Sequence, residues 1–252
     1  MRLKLTIAYD GRPYSGWAKQ PDGNTVHDLM HKAISEVAKQ DVSVHGSGRT
    51  DAGVHAAGQV AHFDAPDGMR MNPFNWVPAV NTKLPATIRA IACEEVTEDF
   101  HARFSAVSKT YTYDLCLAPV LPPLMAGLAW HLPRQLDPET LKQALDILQG
   151  EHDFRAFAAM RGNETNETSY RRILKNTELH ATAHGYRIIF TGNGFLYKMA
   201  RLLTGSAVYA AQGRLRLDDL TDLLDQPSDL PCGRAPYCAP PDGLVLDHVV
   251  YP

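Results

Sequence analysis

Gly46-Ser47-Gly48-Arg49-Thr50-Asp51-Ala52-Gly53-Val54-His55-Ala56 is the stretch on which the reading of this chain turns. Three glycines around an Arg-x-Asp pair imply a backbone brought close to a ligand, because glycine alone tolerates such approach in any conformation. Residue identity excludes two phosphate-binding motifs. A G-x-G-x-x-G fingerprint needs Gly or Ala at position 51, where Asp51 stands. A P-loop needs Lys and then Ser or Thr after Gly53, where Val54 and His55 stand. Chemistry alone leaves two readings: a ligand loop, or a turn in which Asp51 caps a helix or pairs with Arg49.

Working outward, residues 3–9 alternate as a strand, with Leu3, Leu5, Ile7 and Tyr9 on one face. A Gly/Pro loop, Asp10 to Gly23, follows. Thr25 with Asp28 three residues on reads as a helix start, with Asp where Glu or Gln is usual. Val26, Leu29, Met30, Ala33, Ile34, Val37 and Ala38 then recur at helical spacing. Gln59 to Asp64 reads as a short strand, and Pro78 predicts a short or kinked helix over 78–84. Strands are expected at 88–96, 107–117, 171–182, 186–191 and 244–250. Asp137–Pro138 opens a helix with Leu141, Ala144, Leu145 and Leu148 inward and Gly150 at its C-cap. Further helices are expected near 195–211 and 217–225. Strands and helices mix without regular β-α-β-α alternation, so the fold class is α+β.

At 252 residues the chain is long enough for one or two domains of ordinary size. A boundary near residue 105 gives two halves, each with strands and a long helix. With 44% hydrophobic and 21% charged residues the composition is that of a folded protein and excludes a disordered one. The net charge of −3 excludes a globally basic coat. It conceals a polarity: Arg161 to Arg216 holds nine basic and three acidic residues, Asp218 to Asp247 one basic and seven acidic. The basic segment is either a phosphate-tracking face or an ordinary solvated one. The longest apolar stretch, Pro119 to Trp130, carries three prolines and is too short to span a bilayer. The N-terminus alternates like a strand and lacks a signal peptide's apolar run. Cys93, Cys116, Cys232 and Cys238 form no C-x-x-C pair, so reduced thiols in the cytoplasm are expected. His27 and His31, and likewise His180 and His184, are four apart, yet no cysteine pair or H-E-x-x-H accompanies them, so no metal is expected. His55 is read as orienting its loop, and His62 and His101 as structural.

The string Gly48-Arg49-Thr50-Asp51-Ala52-Gly53-Val54-His55-Ala56 resembles the catalytic motif of the tRNA pseudouridine synthase A family. Tyr9-Asp10-Gly11 and Gly16-Trp17 match in order near the start. His101-Ala102-Arg103-Phe104-Ser105-Ala106 precedes Lys109-Thr110-Tyr111-Thr112-Tyr113. Gly194-Phe195-Leu196-Tyr197-Lys198-Met199-Ala200-Arg201 with Gly205 follows, and Gly243-Leu244 and Val250-Tyr251-Pro252 close the chain. The resemblance therefore covers nearly the whole sequence. One departure is Ala18, where family members commonly carry Gln; Gln20 keeps a later amide.

The resemblance implies a pseudouridine synthase fold: two similar mixed α/β halves, 1–105 and 106–252, joined through a largely antiparallel sheet with a central active-site cleft. It implies an isomerase that converts uridine to pseudouridine at positions 38, 39 and 40 in the anticodon stem-loop of tRNA, working as a homodimer with neither metal nor other cofactor. Asp51 maps to the essential aspartate, Arg201 to its ion-pair partner, and Tyr111 to the tyrosine that packs against the target base. Tyr113 shares Tyr111's strand parity and is the runner-up. Arg49 would bind phosphate and help extrude the base. These residue types suit the chemistry. A carboxylate can attack sugar or base, or remove the C2′ proton. Burial disfavours its ionised form and a guanidinium beside it restores that form. An aromatic face supports a flipped base. The alternative is a catalytically silent tRNA-binding or tRNA-folding protein on the same fold. A metal-dependent hydrolase or nucleotide-binding protein finds no motif.

Overall fold

The computed structural model describes residues 1–133, 136–160, 165, 168–225 and 234–252. Cys232 and most of the polar Arg161 to Thr168 loop lie outside the described residues. The chain forms two compact units, Met1–Val107 with Val245–Pro252, and Ser108–Leu244.

In the first unit, β1 (Arg2–Tyr9) alternates strictly, and Leu3, Leu5, Ile7 and Tyr9 are buried as their parity requires. It lies between two antiparallel neighbours, β3 (His55–Asp64) and β4 (Ile88–Val96). The two-residue β2 (His45–Gly46) pairs with β3 at His62 and Ala61. The last strand, β10 (Leu244–Val250), runs parallel to β3, with Val245 opposite His55 and Leu246 opposite Ala56. Strand β3 is thus hydrogen-bonded on both edges, and eight of its ten residues are buried. It is longer than its sequence indicates because it begins inside the glycine-rich motif, at His55 rather than Gln59. Pairing with β1 and β10 extends a stretch whose local propensity is poor.

Helix α1 (Val26–Ala38) starts as its sequence predicts. Thr25 Oγ1 accepts the Asp28 N–H at 3.1 Å and donates to Asp28 Oδ2 at 2.6 Å. The Asp side chain is one carbon shorter than Glu and reaches the cap hydroxyl. Val26, Met30, Ala33, Ile34 and Ala38 are buried, while Leu29 and Val37 fall at the edge of the apolar face and stay partly exposed. Helix α2 (Pro73–Asn81) begins earlier than Pro78 suggests. Asn72 Oδ1 accepts the Phe74 N–H at 2.9 Å and Pro73 occupies the first turn, so one full N-terminal signal lies upstream. Pro78 sits within the helix, which lasts only nine residues. Its Trp76 is fully buried with its ring 4.8 Å from that of Phe63, edge to face.

In the second unit, β5 (Ser108–Cys116), β9 (Gly185–Gly192), β8 (Arg171–Thr182) and β7 (Gly150–Asp153) lie side by side, each antiparallel to the next. The short β6 (Trp130–His131) pairs parallel with the end of β5. Helix α3 (Pro138–Leu148) is capped by Asp137, whose carboxylate accepts the N–H groups of Glu139 and Thr140. Its buried face is Leu141, Ala144, Leu145 and Leu148 as expected, and it packs on α4 (Met199–Ala211), α5 (Leu217–Asp225) and β8. Gly150 is not its C-cap. Gln149 closes the helix in an extended conformation, and Gly150, at φ +118°, opens β7 instead. Helix α4 starts at Met199, not near 195, because Lys198 adopts the left-handed conformation at φ +60° and breaks the helical path. Eleven of its thirteen residues are buried, so it is the central helix of this unit. Thr204 and Ser206 stay satisfied there by donating to the carbonyls of Ala200 and Leu202.

Candidate active site

The glycine-rich loop belongs to the first unit and is held from below. Ser47 and Thr50 are buried, Asp51 is half-buried, and Arg49 and Ala52 are exposed. Main-chain bonds tie it at both ends: Ser47 N–H donates to Val60 O at 2.7 Å, and Trp17 N–H to Thr50 O at 3.1 Å. Val54 N–H closes a turn on Asp51 O at 3.1 Å, with Gly53 at φ +80° supplying its left-handed corner. Asp51 therefore heads a tight turn and does not cap a helix.

The segment Tyr9 to Trp17 wraps the loop, and this explains its two matching motifs. A Cβ at Gly11 would lie 2.0 Å from Val54 O. One at Gly16, which has φ +93°, would lie 2.6 Å from Thr50 O. Only glycine lets these backbones touch. Trp17, almost fully buried, covers Gly46, where a Cβ would lie 2.5 Å from the indole. His55 Nδ1 accepts the Gly11 N–H at 3.2 Å, with Asp10 Oδ1 3.3 Å from the same nitrogen. That contact fixes the loop's exit and accords with an orienting role. The Arg12 guanidinium and its backbone N–H hold the Asp10 carboxyl below the usual range. Ala18 leaves no side-chain amide at its position, while Gln20 Nε2 donates to Ser15 O at 2.7 Å.

Sequence reasoning missed a buried polar network under the loop. Gln59, on β3, has no exposed surface. Its Oε1 accepts from Ser47 Oγ at 2.7 Å and from Val60 N at 3.1 Å. Its Nε2 donates to Gly48 O at 3.1 Å and to Tyr9 Oη at 3.5 Å. Tyr9 Oη lies 2.8 Å from Thr50 Oγ1. Burial pushes the Tyr9 phenol up to about 12. A lone amide in an apolar strand was the available signal, because such a group is buried only when its bonds are met.

Tyr111, Tyr113 and Arg201 belong to the second unit. Tyr111 and Tyr113 lie on β5 with equal parity, opposite Phe190 and Ile188 of β9. The Tyr111 ring is buried and packs edge to face on Phe195, centroids 4.8 Å apart, so the expected strand and the expected Phe195-to-Arg201 segment do meet. Tyr113 is fully buried, its Oη donating to Pro240 O at 2.7 Å, and burial pushes its phenol far above the ordinary value. It is a core residue. Arg201 stands in the first turn of α4, its Nε donating to Ala239 O at 2.7 Å, and Ala239 N–H returns to Arg201 O at 3.1 Å. Gly205, four residues further, admits the Tyr237 carbonyl, which a Cβ would meet at 2.1 Å.

Three of the four paired histidines have other partners. His27 Nε2 bonds Val44 O, His31 faces Asp41, and His180 pairs with Glu178. No group of three or more metal-capable side chains occurs among the described residues. His45, His62 and His101 form a ring cluster in the first unit, with His62 at its centre. His62 is buried and accepts the Ala102 N–H at 3.1 Å, and burial holds its imidazole down to about 4. In the basic segment, Arg171, Arg187 and Arg216 pair with Glu151, Asp114 and Asp218, so part of that charge is met locally.

The loop clamped by buried groups thus carries a carboxylate, Asp51, and a guanidinium, Arg49, two residues apart. The family model described as tRNA pseudouridine synthase matches residues 5–105 and 144–252. A protein of Akkermansia muciniphila named tRNA pseudouridine synthase A is 51% identical over 254 aligned residues, which cover 100% of this chain and 95% of that protein. Relatives named tRNA pseudouridine synthase A 2 in Clostridium perfringens and tRNA pseudouridine synthase A in Chromobacterium violaceum are each 39% identical. They cover 99% and 100% of this chain, and 99% and 94% of their own lengths are matched. The chain belongs to the tRNA pseudouridine synthase family. It is an RNA-binding isomerase of pseudouridine synthesis with the α+β fold of that family.

Proposed function

We propose that this enzyme isomerises uridines 38, 39 and 40 in the anticodon stem-loop of tRNA with Asp51 as its catalytic carboxylate. The reaction breaks the N1–C1′ bond, turns the detached uracil, and joins C5 to C1′. C5 gives up its proton and N1 gains one, so no oxidant, metal or water is consumed. The observation that carries the reading is the display of Arg49 and Asp51 from a loop whose neighbouring residues are buried and tethered. Arg49, exposed, takes a phosphate and helps extrude the base, which costs a few kcal/mol. Arg201 is the ion-pair partner of Asp51 that the family resemblance implies. Its fixed Nε contact supports this by limiting the side chain's directions. Tyr111 packs on the target base, supported by the Phe195 ring behind it. The first half, 1–105, then carries the carboxylate loop, and the second half, 106–252, carries Tyr111 and Arg201. Three neighbouring target uridines favour recognition of tRNA shape over base identity. The enzyme acts as a homodimer in the cytoplasm. No helix among the described residues is long and apolar enough to cross a membrane.

The test is tritium release from tRNA carrying tritium at uracil C5. Wild-type protein releases tritium and Asp51→Ala does not, while Asp51→Ala still retains tRNA on a filter. Release by Asp51→Ala at the wild-type rate refutes the assignment.

A further inference from the structure

We infer that Gln59 is a positioning residue for the reaction: one buried amide sets the register of the loop so that Arg49 and Asp51 point outward together. The inference rests on the reading of Asp51 as the catalytic carboxylate. Gln59 sits fully buried at the middle of β3, and an unpaired amide there would be heavily penalised. All four of its hydrogen-bonding positions are used, and their directions follow from the amide's own chemistry. The carbonyl end accepts the Ser47 hydroxyl and the Val60 N–H. The amino end donates to the Gly48 carbonyl and to the Tyr9 phenol. Tyr9 Oη, which accepts that N–H, is in turn hydrogen-bonded with Thr50 Oγ1 at 2.8 Å.

The amide therefore grips Ser47 and Gly48 directly and Thr50 through Tyr9. These are three of the four residues immediately before Asp51, and the fourth, Arg49, is the exposed one. Ser47 and Thr50 are drawn inward, Arg49 is left at the surface and Asp51 is half-exposed. A slip of one residue would turn Asp51 toward Tyr9 and Thr50 outward. Main-chain bonds tether the loop at Ser47 and Thr50, and the amide adds the side-chain grip that holds the residues between them in register, since glycine lowers the barrier to alternative paths. Partly satisfied buried networks lose their definition, so removal of a single donor loosens the whole grip.

Gln59→Glu keeps the shape and replaces the amino donor by a carboxyl oxygen against the Gly48 carbonyl, together with an acidic group in a buried place. Gln59→Met keeps the volume and removes every bond. Tyr9→Phe cuts the link to Thr50 alone. Single-turnover tritium release at saturating tRNA reads the chemical step apart from binding. Displacement of the carboxylate by about 1 Å lowers that rate about 10- to 100-fold in Gln59→Glu and Gln59→Met. Tyr9→Phe lowers it less, and Tyr9→Phe combined with Gln59→Met is no slower than Gln59→Met alone, because both act through one network. Ile34→Ala, a buried change on α1 away from the loop, lowers the melting temperature and keeps the wild-type rate.

A wild-type single-turnover rate in folded Gln59→Glu and Gln59→Met overturns the inference, as does additivity of the Tyr9 and Gln59 changes. Equal rate loss in Ile34→Ala also overturns it, because the effect would then follow stability. Asp51→Ala, run alongside, separates the two readings. If it turns over, the catalytic assignment fails and the positioning role with it. If it is silent while Gln59→Glu is fully active, the positioning role alone fails.

Discussion

Replacing Gly16 by alanine probes the contact that closes the carboxylate loop. Two penalties act at once. At φ +93° an L-residue is strained, by about 1–2 kcal/mol. The new Cβ would also stand 2.6 Å from the Thr50 carbonyl oxygen, 3.0 Å from Asp51 C and 3.1 Å from Ala52 N. All three atoms are backbone, so no side chain can swing aside. Relief means moving the Gly16 segment off the loop by several tenths of an ångström, which weakens the Trp17 N–H to Thr50 O bond, worth about 1 kcal/mol. The sum is about 2–3 kcal/mol, or roughly 4–12 °C in melting temperature for a chain of this size. The displaced atoms include the carbonyl carbon of Asp51, so turnover falls more than stability does, by about 10- to 100-fold. Gly23→Ala is the control. Gly23 has φ +65° in the same long loop, but nothing lies within 4 Å of its added Cβ. It carries strain without a clash, so it costs about 1 kcal/mol and leaves turnover intact. Thermal unfolding and single-turnover tritium release on both variants check this. Equal effects of Gly16→Ala and Gly23→Ala on turnover would refute the close-approach argument, and a wild-type melting temperature for Gly16→Ala would refute the strain.

His62 makes the protein acid-sensitive. Its imidazole titrates near 6.5 in the unfolded chain and at about 4 when folded, mainly through burial, with His101, His45 and Arg2 adding repulsion and Asp64 opposing it. The unfolded state binds the proton first, so stability is complete above about pH 6.5 and falls between there and pH 4, by up to about 3 kcal/mol. The Asp10 and Asp64 carboxyls, held low by Arg12 and Arg2, lose their contributions only at lower pH. Urea unfolding from pH 7.5 to 4.5 follows the slope; an unchanged slope in His62→Gln would exclude His62 as its source. Lys39→Gly raises stability by about 0.5–1 kcal/mol, since Lys39 ends α1 at φ +56° where glycine is unstrained. A lower melting temperature in that variant would count against the assignment.

The local elements were legible because each carries its cause within a few residues. Thr25 and Asp28, Asp137 and Pro138, and the alternation of β1 state where helix and strand begin. Where the signal is a single backbone dihedral, the sequence is silent: Lys198 at φ +60° shortens α4, and Gly150 opens a strand and caps no helix. The parity of β5 placed Tyr111 and Tyr113 on one face, but not which of them is core. The Pro240 carbonyl that meets Tyr113 comes from 127 residues away.

The motif from Gly46 to Ala56, with the matches along the rest of the chain, carried the resemblance that implied the family, and Asp51 follows from that resemblance as the proposed carboxylate. The sequence also determined which segments could be helix and which strand, since periodicity and capping are local properties. Only the tertiary structure decided what the loop rests on. Gln59, Tyr9, Gly11 and Gly16 reach it from separate strands and loops, and hydrogen bonds and van der Waals contact act over ångströms in space, whatever the distance along the chain.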